Sequence, residues 1–429
     1  MQILLSLSVA LFAGLMLSRL AKLVKLPAVT AYLVAGILVG PYLLGAIGLP
    51  GLGFVSMEDI KSYSILSDVA LGFIAFSIGN EFRLSSLKQT GRQAAIIGVV
   101  QAVFTTLLVD AALIGVHFLI PQTLPLPAAI VLGAVASATA PAATLMVVRQ
   151  YKAKGPVTQI LLPIVALDDA VGLVLFAISF GVAKAMMSGK VDVLSVVIEP
   201  LLEVALSLLL GALMGWMITF FERFFHSRSK RLAISVTFVL LAVALSMIEF
   251  RIGNVHIAFS SLLVCMMMGT LFCNTCDFSE ELMDRLDRWT APLFVLFFVL
   301  SGAELELSVF TNIAVVSVGL IYILVRCLGK YFGASFSAQA TACDPNIVKF
   351  LGITLFPQAG VALGMAIKAQ SLGAEGAIVA NITLFGVLIY ELVGPLLTKI
   401  ALQKAGEIKP EGRISAREEH QKKKQALAK

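Results

Sequence analysis

Residues 157–182 read VTQILLPIVALDDAVGLVLFAISFGV, an apolar stretch with two adjacent carboxylates, Asp168 and Asp169, near its centre. A helix needs about 20 apolar residues to cross the hydrocarbon core of a bilayer, so this stretch is long enough. An aspartate at mid-membrane depth costs about 2.5–3.5 kcal/mol on insertion scales. Two together therefore indicate a water-accessible cavity and a function that involves cations or protons.

The composition indicates an all-α polytopic membrane protein. Of 429 residues, 59% are hydrophobic and 14% are charged, and the mean hydropathy is +0.96, whereas a soluble domain has about 25% charged residues. Apolar stretches of the required length predict thirteen transmembrane helices. They are 3–20, 28–45, 62–80, 93–118, 126–148, 157–182, 194–222, 232–250, 257–273, 290–304, 310–332, 347–370 and 376–398.

The basic residues in the connections predict the orientation of the chain. Sixteen lysines and arginines lie in the connections on one side and five on the other, and basic residues accumulate on the cytoplasmic side. The amino terminus is therefore expected outside, and residues 399–429 are expected to form a charged cytoplasmic tail. The net charge of +6 follows from this bias and indicates no nucleic-acid partner.

Thirteen spans divide into six, one and six, which predicts two inverted six-helix repeats joined by a linker helix at 194–222. Each half contains one interrupted span at the matching fifth position. The interruptions are Ser137–Pro141 in the first half and Phe356–Gly360 in the second, and the latter includes Pro357 and Gln358. A proline alone only kinks a helix, but two breaks at corresponding positions predict crossing broken helices. Pro141 and Pro357 are then expected to free backbone carbonyls for ions.

Two basic residues, Arg326 and Lys330, lie within span 310–332 and are four residues apart, so both face the same side of that helix. Buried cations need an anionic partner, and an ion pair between Lys330 and Asp168 is the expected one. The alternative is that one of the two cations extends to the cytoplasmic interface.

Four sequence motifs, in this order, resemble those of the monovalent cation–proton antiporter superfamily, in its bacterial second branch. They are PAVTAYLVAGILVGP (27–41), FSIGNEF (76–82), ASATAPAA (136–143) and ALDDAV (166–171). The resemblance covers nearly the whole membrane portion. It implies an elevator-type homodimer with a dimerisation part at 3–80 and 232–304 and a core ion-transport part at 93–182 and 310–398.

The resemblance also implies roles for individual residues. Asp169 would bind the cation and the proton in turn, and Asp168 would pair with Lys330. Two aspartates go with electrogenic exchange in such proteins. One branch of the superfamily has an aspartate before the helix-breaking proline, where this chain has Ala140. The remaining ion ligands are therefore expected from Thr139, Ser137 and backbone carbonyls.

The expected function is antiport of a monovalent cation against protons in the bacterial inner membrane, and Na⁺ is the preferred expectation for the cation. Such exchange would support pH homeostasis. A K⁺/H⁺ antiporter of the same fold and a cation channel are the alternatives. No enzymatic activity and no cofactor are expected, because the transported Na⁺ or K⁺ and H⁺ are themselves the ligands. Asp169 is the expected metal ligand, for a monovalent cation only.

Overall fold

The computed structural model describes residues 2–408, apart from short gaps at 24–25, 49–52, 81, 83, 189–197, 226, 253–254, 277 and 306–311. Residues 409–429 of the predicted tail (399–429) and the start of the predicted linker, 194–197, lie outside the described residues. The described chain forms α1 Gln2–Leu23, α2 Ala28–Val39, α3 Met57–Lys61, α4 Ser64–Gly79, α5 Leu84–Leu119, α6 Leu126–Val135, α7 Pro141–Tyr151, α8 Pro156–Ser188, α9 Glu199–Glu222, α10 Arg228–Ser246, α11 Ser261–Thr275, α12 Ser279–Ala303, α13 Ile313–Ala340, α14 Pro345–Thr354, α15 Gly360–Ala369 and α16 Ala374–Lys404. Between α10 and α11, β1 Phe250–Ile252 pairs antiparallel with β2 Val255–Ile257.

Every predicted span overlaps a helix or a pair of helices, and the chain is a multi-pass integral membrane protein. Eight helices of the described chain are long and apolar enough to cross a membrane, by length and composition. They are α1, α5, α8, α9, α10, α12, α13 and α16. Helices α2, α4, α6 and α11 are apolar but shorter. The count of thirteen spans and their arrangement as inverted repeats stay predictions.

Two predicted spans are interrupted at their expected positions. Span 126–148 divides into α6 and α7, and span 347–370 divides into α14 and α15. Pro141 is the first residue of α7, where a proline is tolerated because its missing N–H has no helical partner in any case. Gly360 begins α15, and Pro357 lies in the non-helical segment before it.

Several helix ends differ from the predicted bounds; α12, for example, begins at Ser279 instead of position 290, and α5 begins at Leu84 instead of position 93. Helix α2 ends at Val39 instead of position 45, because Gly40 has an extended backbone and Pro41 follows it. Helix α16 continues past the predicted end at 398 to Lys404, and Glu407 beyond it is buried. The first residues of the predicted tail therefore pack with the membrane helices.

Small residues let several helix pairs approach closely. A Cβ added to Gly302 of α12 would overlap the backbone of Leu33 in α2. Gly329 and Gly333 place α13 against α5, where added Cβ atoms would lie 2.9 Å from the Cα atoms of Thr105 and Gln101. These contacts bring the side chains of Gln101 and Lys330 towards Asp168 of α8.

The helices pack mainly within two groups. The first contains α1, α2, α4 and α9–α12, and the second contains α5–α8 and α13–α16. The groups meet where α2 and α4 contact α7, where α16 contacts α2, and where α8 contacts α9 and α11. The site described below lies within the second group.

Candidate ion-binding site

The tandem aspartates lie within α8 and are almost completely buried. Asp168 has no exposed surface and Asp169 is 2% exposed. Helix α8 is continuous from Pro156 to Ser188 although it contains Pro163, five residues before Asp168. The two side chains point in different directions because consecutive helical residues are about 100° apart. Their surroundings consequently differ.

Asp168 has partners for both carboxylate oxygens. Lys330 Nζ forms an ion pair with Asp168 Oδ2 at 2.8 Å, and the hydroxyl of Thr139 donates to the same oxygen at 2.6 Å. The side-chain amide of Gln101 in α5 donates to Oδ1. The predicted pair between Lys330 and Asp168 is therefore present, and both side chains are fully buried.

Asp169 has no such partners. Both of its carboxylate oxygens are buried, and neither accepts a hydrogen bond from the part of the chain that the structure describes. A buried carboxylate left in this state is strongly unfavourable unless it is neutralised by a proton or by a cation. The described residues contain no group of three or more His, Cys, Asp and Glu side chains able to hold a metal ion. A lone carboxylate of this kind can hold a proton or a monovalent cation.

The partners of Arg326 correct one sequence-based expectation. No carboxylate pairs with this guanidinium among the described residues; it donates instead to the main-chain carbonyls of Ala136 at 2.9 Å, Ala138 at 2.6 Å and Phe356 at 2.7 Å. Its guanidinium carbon also lies 4.4 Å from the ring centre of Tyr390. These carbonyls belong to the two helix breaks, where the backbone has lost its helical hydrogen bonds.

Lys330 also binds a carbonyl of the first break. Its Nζ donates to the carbonyl of Ser137 at 2.5 Å and to the hydroxyl of Thr139 at 2.9 Å. The carbonyls that the sequence led us to expect as ion ligands thus accept hydrogen bonds from two of the protein's own cations. Arg326 and Lys330 compensate the partial negative charge at the carboxyl ends of α6 and α14.

The two breaks contact each other directly. The N–H of Ala140 donates to the carbonyl of Pro357 at 2.8 Å. The side-chain amide of Gln358 donates to the carbonyl of Val135 at 2.8 Å and to the hydroxyl of Tyr322 at 3.0 Å. Gln358 therefore joins the second break to the end of α6, which agrees with its predicted position at the crossing.

The two predicted hydroxyl ligands occupy different positions. Thr139 contacts Asp168 and Lys330, whereas the hydroxyl of Ser137 donates to the carbonyl of Ala134 at 2.7 Å within its own chain segment. A Cβ on Gly172, three residues after Asp169, would lie 3.1 Å from Ser137 Oγ. The Ser137 hydroxyl thus faces α8 one turn beyond the two aspartates. Gly360 borders open space, because a Cβ there would meet no atom within 4 Å.

Three polar residues of the site were not predicted from the sequence. Gln101 donates a hydrogen bond to Asp168, and Tyr322 accepts one from Gln358. The ring of Tyr390 packs against the guanidinium of Arg326, and its hydroxyl donates to the carbonyl of Ile323 at 2.8 Å. Gln101 is the only residue of the three with a clear signal, since it is an amide in the middle of an apolar span. Tyrosines are common in membrane helices and carry no comparable signal.

Broken helices that meet beside a buried, unpaired carboxylate define a class, the secondary membrane transporters. The profile of one protein family, described as sodium/hydrogen exchanger, transmembrane, matches residues 7–404. The chain belongs to this family of antiporters.

Curated relatives and solved structures resemble the chain over nearly its whole length. A K(+)/H(+) antiporter subunit KhtU of Bacillus subtilis is 22% identical over 398 residues, which are 89% of each chain. A Na(+)/H(+) antiporter NhaS4 of Synechocystis is 22% identical over 400 residues, or 90% of this chain and 93% of the relative. Both relatives are antiporters by name, not enzymes.

Two solved structures of the sodium proton antiporter MjNhaP1 from Methanocaldococcus jannaschii share the fold. One, determined at pH 8, has a TM-score of 0.68 at 19% identity and covers 96% of this chain and 100% of that chain. The other, from electron microscopy, has a TM-score of 0.74 at 18% identity and covers 94% of this chain and 98% of that chain.

Proposed function

We propose that the protein exchanges a monovalent cation, Na⁺ or K⁺, for protons, and that Asp169 binds the two in turn. The observation that carries this proposal is the pair of buried, unpartnered oxygens of Asp169 beside a fully paired Asp168. A carboxylate that holds either a proton or a cation, but not both, enforces exchange by competition. Lys330 and Arg326 act as charge partners of Asp168 and of the helix breaks, and the hydroxyls of Thr139 and Ser137 supply polar atoms near the aspartates.

Alternating access by an elevator movement is the proposed mechanism. In support, the helices form two groups, and the site lies inside only one of them, α5–α8 and α13–α16. Movement of this core against α1, α2, α4 and α10–α12 would expose Asp169 to each side of the membrane in turn. The first group without α9, that is α1, α2, α4 and α10–α12, is the proposed dimerisation part of a homodimer, and α9 is the proposed linker between the halves.

The proposed topology is thirteen spans in two inverted repeats, in a bacterial inner membrane. The amino terminus is proposed to lie outside and the carboxyl terminus in the cytoplasm. The unequal distribution of basic residues between the two sets of connections supports this orientation. This orientation places Glu407 on the cytoplasmic side and the loop between α2 and α4 on the outer side.

The transported ion and the charge balance are tested by one experiment. The purified protein is reconstituted into liposomes, and proton movement is followed by a pH-sensitive dye on addition of Na⁺, K⁺ or Li⁺, with and without a membrane potential. Proton release that requires one of these cations supports antiport, and acceleration by a membrane potential supports electrogenic exchange. Dissipation of a proton gradient without any counter-cation would instead indicate a channel and overturn the proposal.

A further inference from the structure

A second buried carboxylate, outside the Asp168 cluster, has an oxygen without a partner. Glu391 lies in the middle of α16 and is 6% exposed. Its Oε2 atom is buried and has no hydrogen-bond partner in the described part of the chain. An unpaired buried carboxylate is costly, and no described side chain forms an ion pair with Glu391, so its neutral form is favoured.

Glu391 lies where the two helix groups meet, one turn from the second helix break. The hydroxyl of Thr30 in α2 donates to the carbonyl of Leu392 at 3.4 Å, so α2 and α16 are in contact at this level. Gly394 is three residues further along α16, and a Cβ there would lie 3.0 Å from Pro357. Glu391 is thereby placed between α2 and the crossing.

The charged group that acts on Glu391 is another acid. The charge of Glu391 interacts with that of Glu304, at the end of α12, and Glu304 interacts in turn with Asp68 of α4 and Lys61 of α3. Lys61 is exposed. Glu304 is therefore the charged neighbour of Glu391 on the side of α12 and of the exposed Lys61.

Basic groups on the helices around Glu391 are engaged elsewhere or distant in sequence. Neither α2 nor α6 contains a basic or acidic residue. On α13, Arg326 binds carbonyls and Lys330 binds Asp168. Of the remaining basic residues on these helices, Arg149 of α7 pairs with Asp287, and Lys349 of α14 lies over the ring of Phe350. Lys368 is in the last turn of α15. Lys399 and Lys404 follow Glu391 in α16 by two helical turns or more.

We propose that Glu391 binds a proton that it takes from the outer solution and passes towards the crossing of the two broken helices. This inference rests on the antiport function proposed above. A proton needs one carboxylate oxygen, whereas a dehydrated monovalent cation needs several oxygen ligands. A like-charged neighbour and an apolar setting favour the neutral acid over a bound cation that lacks further ligands. The proton enters from the Glu304 side, binds Glu391, and leaves towards the broken helices when Asp169 releases its cation.

Two transport modes separate this role from that of Asp169. Cation–cation exchange, measured with radioactive sodium or with a potassium tracer such as rubidium, uses Asp169 but moves no net proton. Cation–proton exchange uses both. In Glu391→Gln we expect cation–proton exchange to fall by about tenfold or more, the scale of losing one proton-transfer group, while cation–cation exchange stays close to wild type. Glu391→Asp should recover part of the lost rate, and Asp169→Asn should abolish both modes.

Each other outcome counts against the inference. If both modes fall together in Glu391→Gln, Glu391 acts in structure or in cation binding. If neither mode changes, it has no part in proton movement. A wild-type protein that shows no cation-dependent proton movement at all contradicts the proposed antiport function, which is a different failure.

Chemical labelling tests the protonation directly and needs no stable variant. Dicyclohexylcarbodiimide adds the O–H of a protonated carboxyl across its C=N bond, and the adduct rearranges to a stable N-acylurea. We expect mass spectrometry of the labelled wild-type protein to show this adduct on the peptide that contains Glu391, with less label as the pH rises. Absence of the adduct across acidic and neutral pH, with label present at another carboxyl, would overturn the assignment.

Discussion

Asp168 and Asp169 are adjacent in α8 and almost equally buried, yet only Asp168 has hydrogen-bond partners among the described residues. The difference arises from the helical geometry, which turns Asp168 towards α5 and α13 and Asp169 away from them. Asp168 is fixed by an amide, a hydroxyl and an ammonium group. Asp169 has none of these partners, and the proposed mechanism assigns ligand exchange to it alone.

Asp169→Asn should abolish cation-dependent proton movement without loss of folding. The amide has nearly the same size, and it removes a buried carboxylate that has no partner, so the melting temperature should stay the same or rise. Exchange in reconstituted liposomes should fall to the level of empty liposomes. Sustained exchange in a well-folded variant would remove Asp169 from the mechanism.

The ion pair between Asp168 and Lys330 should show a strong coupling in stability. Either Asp168→Asn or Lys330→Gln leaves one buried charge unpaired, which costs about 3–5 kcal/mol. The double variant should regain part of this loss, because it leaves neither charge behind. Thermal unfolding of the three variants and the wild-type protein gives the coupling free energy between positions 168 and 330, which we expect to be about 1–3 kcal/mol.

The exposed pair of Glu281 and Arg285 is the matched control for that cycle, since its atoms lie 2.9 Å apart, close to the 2.8 Å of the buried pair. Glu281→Gln should change stability by no more than about 1 kcal/mol. Equal melting temperatures for Asp168→Asn, Lys330→Gln and wild type would show that the buried pair does not stabilise the fold.

The sequence predicts the helix breaks and the ion pair because both have strong local causes. Pro141 and Pro357 interrupt apolar stretches at matching positions, and a lysine in a membrane span needs an acid. Bilayer length likewise predicts where the spans lie, although Gly40 ends α2 earlier than hydropathy indicates.

The partners of Arg326 could not be predicted in the same way. Residue spacing shows that a cation is on a given face, but it does not show whether a carboxylate or a set of backbone carbonyls lies opposite. Those carbonyls become available only through the three-dimensional meeting of two breaks that are more than 200 residues apart, as in the bond from Ala140 to Pro357. Gln101 and Tyr322 were missed because a neutral side chain in a membrane span has no obligatory partner.

Arg326→Lys should destabilise the crossing although it keeps the positive charge. The guanidinium reaches three carbonyls through its Nε, Nη1 and Nη2 atoms, and an ammonium group cannot reproduce that planar arrangement. Each charged hydrogen bond lost costs about 1.5–3 kcal/mol. The control is Arg285→Lys at the surface, which thermal unfolding should show to be nearly neutral; equal shifts for both variants would contradict a capping role for Arg326.

Proton and cation should compete for Asp169, which determines the sign of the pH dependence. As the pH falls, more of the carboxylate is protonated and the apparent KM for the cation should rise, by at most about tenfold for each pH unit. The rate at saturating cation should change less, because enough cation displaces the proton. Initial rates over a grid of pH and cation concentration test this, and an apparent KM that does not depend on pH would show that the two ligands use separate sites.

Glu407 should stabilise the amino-terminal end of the helix that carries both aspartates. Its carboxylate accepts from the N–H groups of Val157 and Thr158 at 2.6 and 2.8 Å and from the Thr158 hydroxyl at 2.6 Å. It therefore caps α8 from a position just after α16. A Cβ on Gly155 would overlap the Glu407 side chain, so glycine at 155 leaves the room for this contact.

A substitution and two truncations test the cap. We expect Glu407→Ala in the full chain to unfold at a lower temperature, with a loss of about 0.5–2 kcal/mol, the range for a lost helix cap. A chain that ends after Ile408 should unfold like the full chain, whereas a chain that ends after Gly406 should lose more than Glu407→Ala, because it also lacks the buried Ile408 side chain. Glu375→Ala in the first turn of α16 should have little effect. The cap has no such role if Glu407→Ala unfolds like the wild-type protein.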